Sequence, residues 1–153
     1  MRDVSALPAA GRLLAIDLGE VRIGLALSDP AQVMASPAET LQVPRDQDKP
    51  ALDALVNASG RHEAAGLVVG YPRRLDGREG AAAQRARWFA EQLGERTGLP
   101  VLLWDERFST TEAERVMLDQ DASRDERKQN VDQVAAAVLL QGVLEARRAR
   151  RED

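Results

Sequence analysis

Residues 13–28 read Leu13-Leu14-Ala15-Ile16-Asp17-Leu18-Gly19-Glu20-Val21-Arg22-Ile23-Gly24-Leu25-Ala26-Leu27-Ser28, and they decide the fold. Arg12 to Asp17 and Val21 to Ser28 have the apolar runs of two strands. A connection of about three residues is too short for a parallel crossover, so the two must pair as an antiparallel hairpin. In the second strand Val21, Ile23, Leu25 and Leu27 share one face, while Arg22, Gly24, Ala26 and Ser28 share the other. Arg22 is thereby placed near the hairpin end that carries Asp17. A carboxylate delivered by a buried strand loses hydration worth several kcal/mol unless a cation or hydrogen-bond donors replace the water. Gly19 leaves room for a ligand or another backbone to come close. A strand-end Asp in a simple turn is the alternative reading of Asp17 taken alone.

Outward from this hairpin, a weaker third strand is expected near Glu39 to Val43. A helix from about Asp46 to Gly60 follows, with Leu52, Leu55 and Val56 at helical spacing, and then a buried strand, Gly66 to Gly70. Tyr71 to Gly80 reads as a loop. The next helix, about Gly80 to Thr97, carries Trp88, Phe89 and Leu93 on its apolar side, and Gly98 stops it before a strand from Leu99 to Trp104. Ser109-Thr110-Thr111-Glu112 is a capping box opening a short helix to about Leu118. Asp119 to Gln129 reads as a mobile polar loop. Asn130-Val131-Asp132-Gln133 opens the last helix, whose Ala135, Ala136, Leu139, Leu140 and Val143 lie largely on one side. It ends in Arg147, Arg148, Arg150 and Arg151.

A hairpin or meander followed by alternating helices and strands predicts an α/β fold: a mixed sheet with one antiparallel edge, parallel additions and helices on its faces. The 153 residues and 44% hydrophobic content suit one folded domain over 1–153. Residues 1–11 form an N-terminal extension and 147–153 a basic C-terminal tail. The absence of cysteine excludes disulfides and thiolate zinc sites, and His62 is the single histidine. Neither a signal peptide nor an apolar run of roughly 18 to 20 residues is present, which points to a cytosolic protein without membrane insertion.

The net charge of -4 is not that of a general polyanion binder, yet its distribution is uneven. Arg73, Arg74, Arg78, Arg85 and Arg87 outweigh Asp76 and Glu79 over residues 73–87. Over residues 105–126 eight acids outweigh Arg107, Arg115 and Arg124. The chain thus carries a phosphate-binding edge and a cation-binding edge, although solvated helix faces account for single charges equally well.

In such sheets, sites form where strands end. Asp17 ends the first strand and Asp105-Glu106 ends the strand Leu99 to Trp104. If those strands run alike, their acids converge. Asp132 stands with Ala135, Ala136 and Leu139 at i, i+3, i+4 and i+7, on the sheet-facing stripe. An Asp in the first helical turn is also favoured by the helix dipole, and Asp105 or Glu106 is within reach of pairing with Arg107. Three carboxylates in one cleft repel, and some hold protons at neutral pH unless divalent cations neutralise them. Oxygen ligands without Cys or His select Mg²⁺ or Mn²⁺. Two such ions activate a water and stabilise the leaving oxygen in phosphodiester hydrolysis. Asp17 is the expected bridging ligand, with Glu106 and Asp132 completing the shells. Alternation along the strand lets only one of the adjacent acids face the site, Glu106 first and Asp105 second.

The blocks Asp17-x-Gly19-x-x-Arg22-Ile23-Gly24 with Ser28-Asp29, Val69-Gly70-Tyr71-Pro72 with Asp76-Gly77-x-x-Gly80, Asp105-Glu106-Arg107-x-Ser109-Thr110-Thr111-x-Ala113, and Asn130-x-Asp132-x-x-Ala135-Ala136 resemble the YqgF or RuvX family. Its members are bacterial RNase H-like nucleases, described as pre-16S rRNA nucleases and earlier as Holliday junction resolvases. The resemblance spans nearly the whole chain. It implies an RNase H-like fold, a divalent-metal-dependent nuclease, a role in maturing the 5′ end of 16S ribosomal RNA, and an acidic site at Asp17, Glu106 and Asp132. Glu20 stands where the family more often has a small polar residue, and Arg73-Arg74 make the middle loop more basic than usual.

Arg22, Arg73, Arg74, Arg78, Arg107 and Thr110 are the candidate substrate contacts, with the loop arginines holding phosphates and with Arg22 and Arg107, which flank the acids, expected to pair with those acids in the absence of substrate. Aromatic residues are 3% of the chain, and Trp88, Phe89 and Trp104 read as core, so weak base specificity is expected. RNA is the favoured nucleic-acid partner. A four-way DNA junction is the alternative, and would require a dimer of defined geometry; no interface is legible, so monomer and homodimer both stay open. A non-catalytic RNA-binding assembly factor is the third reading. A sugar-kinase or chaperone-type ATPase is disfavoured, since it closes two such domains around nucleotide and this chain is too short.

Overall fold

A computed structural model describes residues 4–72, 80–106 and 131–152. After a short 3-10 helix (Val4–Ala6) come β1 (Leu13–Leu18), β2 (Arg22–Ser28), β3 (Ala35–Gln42), α1 (Asp48–Arg61), β4 (Gly66–Tyr71), α2 (Ala81–Thr97), β5 (Val101–Asp105) and α3 (Val131–Glu152). The sheet order is β3-β2-β1-β4-β5. The first three strands form the expected antiparallel meander, and β4 and β5 add in parallel to β1.

Two-residue periodicity divides the sheet into unequal faces. Leu14, Ile16, Ile23, Leu25, Leu67 and Val69 point to one side, where α1 and α2 cover them with Leu52, Leu55, Phe89 and Leu93. Leu13, Ala15, Ala26 and Val68 point to the other, against Ala136, Leu140 and Val143 of α3. The α3 side of β1 and β2 is built from small residues, so that helix approaches the sheet closely. A Cβ on Gly24 would lie 1.9 Å from the Asp132 carbonyl oxygen. Each fully buried Leu, Ile or Phe contributes about 1.5–3 kcal/mol of transfer free energy, so both faces anchor the strand ends firmly.

Gly98 ends α2 in the left-handed region (φ 72) and donates its N–H to the Gly94 carbonyl at 3.0 Å, as its position after Thr97 predicts. Several expectations need correction. The third strand begins at Ala35, well before Glu39. Its Pro37 obscures it in the sequence and is accommodated because β3 is an edge strand with a register shift opposite Leu25/Ala26. The final strand starts at Val101 and reaches Asp105. Trp88 is 39% exposed, not core; the buried stripe of α2 is Ala83, Ala86, Phe89, Ala90 and Leu93, and Trp88 meets Phe89 edge-on with ring centroids 5.0 Å apart. On α3, Ala135 is exposed while Ala137 and Leu144 join the core.

Residues 4–11 and 147–152 are built into the fold. Val4 and Leu7 are buried in the α3-side core. The Gln32 amide donates to the Pro8 and Gly11 carbonyls at 3.0 and 3.1 Å, so the N-terminal extension is tied down. The basic segment continues α3 to Glu152, with Arg147 buried. The capping box at Ser109 and the loop Asp119 to Gln129 lie outside the described residues. No helix among those described is long and apolar enough to cross a membrane.

Candidate active site

Strands β1 and β5 flank β4 and run the same way, so their C-terminal ends open on one edge of the sheet. Asp17 is the fifth residue of β1 and shares the α3 face with Leu13 and Ala15. Its register partner on β2 is Gly24, the residue on which the backbone of Asp132 rests. That single contact sets the start of α3 directly beside Asp17. On the other flank Glu106 follows β5, and its Oε1 would lie 2.9 Å from a Cβ on Gly70 of β4. Two glycines thus seat two acids, and any side chain at either would displace one.

Leu103 belongs to the α1–α2 core and Trp104 to the α3 core. Alternation therefore puts Asp105, buried at 6% exposure, on the face away from Asp17. Glu106 lies on the same face as Asp17 and Asp132.

The electrostatics follow from crowding. Burial, the Asp17 charge, a hydrogen bond to Asp17 and the Asp105 charge raise the Glu106 carboxyl from 4.5 to about 7. Burial also raises Asp17; the hydrogen bond from Glu106 works against that shift, and the Asp132 charge adds to it. Near neutrality Glu106 donates a proton toward the Asp17 carboxylate. Asp132 is held differently, with its Oδ2 3.5 Å from Arg22 Nε. Among the described residues no three acids are gathered into a preformed metal cage. The donor set is nonetheless all carboxylate oxygen, the hard-ligand chemistry of Mg²⁺ or Mn²⁺, and among the described residues Arg22 is the cation paired with it. By that chemistry the three acids fit a divalent cation.

Arg85 is a residue the sequence offers only as one of many basic charges. Its guanidinium donates to the Gly19 carbonyl at 2.7 Å and to Asp48 Oδ1 at 3.1 Å, bracing the β1–β2 turn against the start of α1. Gly19 serves that turn, for a Cβ there would lie 2.3 Å from the Arg22 carbonyl oxygen. Beside the turn is a cavity of about 500 Å³ in which Arg45 and Arg85 face Glu20, Asp46 and Asp48; Arg45 pairs with Glu20, and the mixed charge gives the cavity no preference for anions. The seats at Gly24 and Gly70 also escape a sequence reading, although a glycine amid large alternating residues is the signal for a close approach. Arg73, Arg74, Arg78, Arg107 and Thr110 lie outside the described residues.

The five-stranded mixed sheet with acids at the β1 and β5 ends defines an RNase H-like fold. It is similar to Thermus thermophilus RuvC (TM-score 0.56, 14% identity, covering 92% of this chain and 96% of that one). It is also similar to the fowlpox virus resolvase solved with Holliday junction DNA (TM-score 0.55, 12% identity, 88% and 97%). The chain belongs to the RuvX family, whose model, described as "RuvX: Holliday junction resolvase", matches residues 11–146. Among its relatives is a protein of Rhodobacter capsulatus named "Putative pre-16S rRNA nuclease", 43% identical over 141 residues that cover 92% of this chain and 87% of the relative. A protein of the same name from Sphingopyxis alaskensis is 44% identical over 142 residues, covering 93% and 91%.

Proposed function

We propose that this protein is a divalent-metal-dependent nuclease that hydrolyses RNA phosphodiesters, acting in maturation of the 5′ end of pre-16S ribosomal RNA. The observation that carries the reading is the convergence of three acids at one sheet edge, with Asp17 of β1 opposite Gly24, the backbone of Asp132 resting on Gly24, and Glu106 standing over Gly70. Nothing in the packing of the core requires three acids there. Asp17, Glu106 and Asp132 would hold a pair of Mg²⁺ or Mn²⁺ ions. When bound, such a pair supplies an activated water and stabilises the leaving oxygen.

The chain's own residues do the rest. Glu106 would give up its proton on loading, because a nearby cation offsets the burial and the acidic neighbours that hold its pKa up. Gly24 holds the start of α3 against β2 and Gly70 leaves room for the Glu106 carboxyl over β4, so a strand, a strand end and a helix start bring the three acids together. Arg22 at the rim offers a guanidinium to substrate phosphate, and Arg73, Arg74, Arg78, Arg107 and Thr110 are proposed to extend that contact along the strand. No protein nucleophile enters the reaction.

RNA as substrate rests on the relatives' name, and the fold likeness to RuvC favours a second reading, a Holliday junction resolvase. Cleavage of labelled single-stranded RNA and of a four-way DNA junction, each with Mn²⁺, Mg²⁺ or EDTA, separates the two. Metal-dependent cutting of RNA alone is the expected result. Paired symmetric nicks in the junction would replace it with the resolvase, and binding of RNA without cutting would leave an assembly factor.

A further inference from the structure

Arg22 and Asp132 meet for a definite reason. Arg22 opens β2 two residues before Gly24 and on the same sheet face, and Gly24 carries the backbone of Asp132. The first turn of α3 is thereby delivered over the guanidinium, leaving Nε 3.5 Å from Oδ2, with the two side chains 59% and 32% exposed. One of the three acids thus already has a cation at hand.

We propose that Arg22 is a resident counter-ion for Asp132 that a divalent cation must displace, so that metal loading and release of the Arg22 guanidinium are one event. The proposal rests on the metal-dependent reading above. A guanidinium and a divalent cation repel one another and compete for the same carboxylate. Because the pair is largely exposed, its contribution is at most about 1 kcal/mol, and a divalent cation outcompetes it readily. The displaced guanidinium stays tethered at the mouth of the site, where its planar fork of donors matches phosphate oxygens. By reciprocity, an anion that draws Arg22 away from Asp132 raises metal affinity by the factor by which metal raises affinity for the anion.

Titration of Mn²⁺ alone into the full chain, with free Mn²⁺ followed by electron paramagnetic resonance, tests this in wild type, Arg22→Gln, Arg22→Lys and Asp17→Asn. Arg22→Gln is expected to bind Mn²⁺ about fivefold more tightly than wild type, Arg22→Lys within about twofold of wild type because the charge remains, and Asp17→Asn far more weakly. Wild-type binding that Asp17→Asn abolishes but Arg22→Gln leaves equal or weaker would overturn the competition and leave the metal site standing. Absence of Mn²⁺ binding by wild type would overturn both. A second measurement needs no variant: the Arg22 Nε–Hε resonance of ¹⁵N-labelled wild-type protein moves on addition of Mg²⁺ if the contact breaks, and an unmoved resonance contradicts the proposal.

Discussion

At the scale of the residue, the notable group is Glu106, whose carboxyl is raised from 4.5 to about 7 by burial first and by its acidic neighbours second. A carboxyl that binds its proton more tightly folded than unfolded contributes stability at low pH that is lost as pH rises from about 4.5 to about 7. Asp17, also raised, acts with the same sign. In EDTA the unfolding free energy is therefore expected to fall across that window, and Glu106→Gln to flatten the fall. Discounted for the solvent exposure of the residue, the gain at pH 8 is about 1 kcal/mol, or about 2 to 4 °C in Tm. Thermal melts of wild type and Glu106→Gln at pH 5 and pH 8 measure it; an equal Tm difference at both pH values would mean the charge is not the cause. Much of this site was legible in the sequence. An acid at a strand end is visible there, and alternation shows that only one of Asp105 and Glu106 can face the other acids; which one it is needs the structure, which buries Asp105 on the opposite face.

At the scale of the element, the site depends on how closely α3 approaches β2. A methyl group at Gly24 cannot coexist with the Asp132 carbonyl 1.9 Å away, so Gly24→Ala must push back the start of α3 and carry Asp132 out of register with Asp17. The expected result is a loss of about 3 kcal/mol of stability together with more than tenfold weaker Mn²⁺ binding. Gly60→Ala, in α1 where a Cβ meets nothing within 4 Å, serves as the control that leaves Mn²⁺ binding unchanged and does not lower stability, adding up to about 1 kcal/mol. Urea unfolding and a Mn²⁺ titration on the same samples check the pair. The elements that sequence misplaces are those whose limits tertiary contacts set. β3 starts at Ala35 because its N–H bonds the Gln141 side chain of α3 at 3.0 Å, a partner 106 residues away that local pattern cannot reveal. Trp88 looks apolar in composition, but the alternation of Ala86, Phe89, Ala90 and Leu93 turns it outward.

At the scale of the whole molecule, the parallel placement of β1 and β5 around β4 brings Asp17 and Glu106, 89 positions apart in the chain, to one edge. The order of hairpin, helix, strand, helix and strand is enough to predict that sheet, and the resemblance of the motif blocks names the same fold. The glycine contacts require coordinates, because they join elements far apart in sequence; pairing of Arg22 with a site acid is expected from the sequence, and the structure makes Asp132 the partner. If the acids are a cation site, Mn²⁺ at about 100 times its Kd stabilises the fold by about 2.7 kcal/mol, and excess EDTA reverses the shift in Tm. Arg73→Ala combined with Arg74→Ala is expected to weaken RNA binding and to lower the slope of log affinity against log salt by about 2, with turnover of bound RNA little changed. Binding isotherms at several salt concentrations measure the slope. The most direct test of the nuclease itself is Mn²⁺-dependent cleavage of labelled single-stranded RNA by wild type and by Asp17→Asn, with folding of both verified by circular dichroism. Cutting by wild type that vanishes in EDTA and in the folded Asp17→Asn variant is the predicted result; undiminished cutting by Asp17→Asn would contradict the assignment of the site.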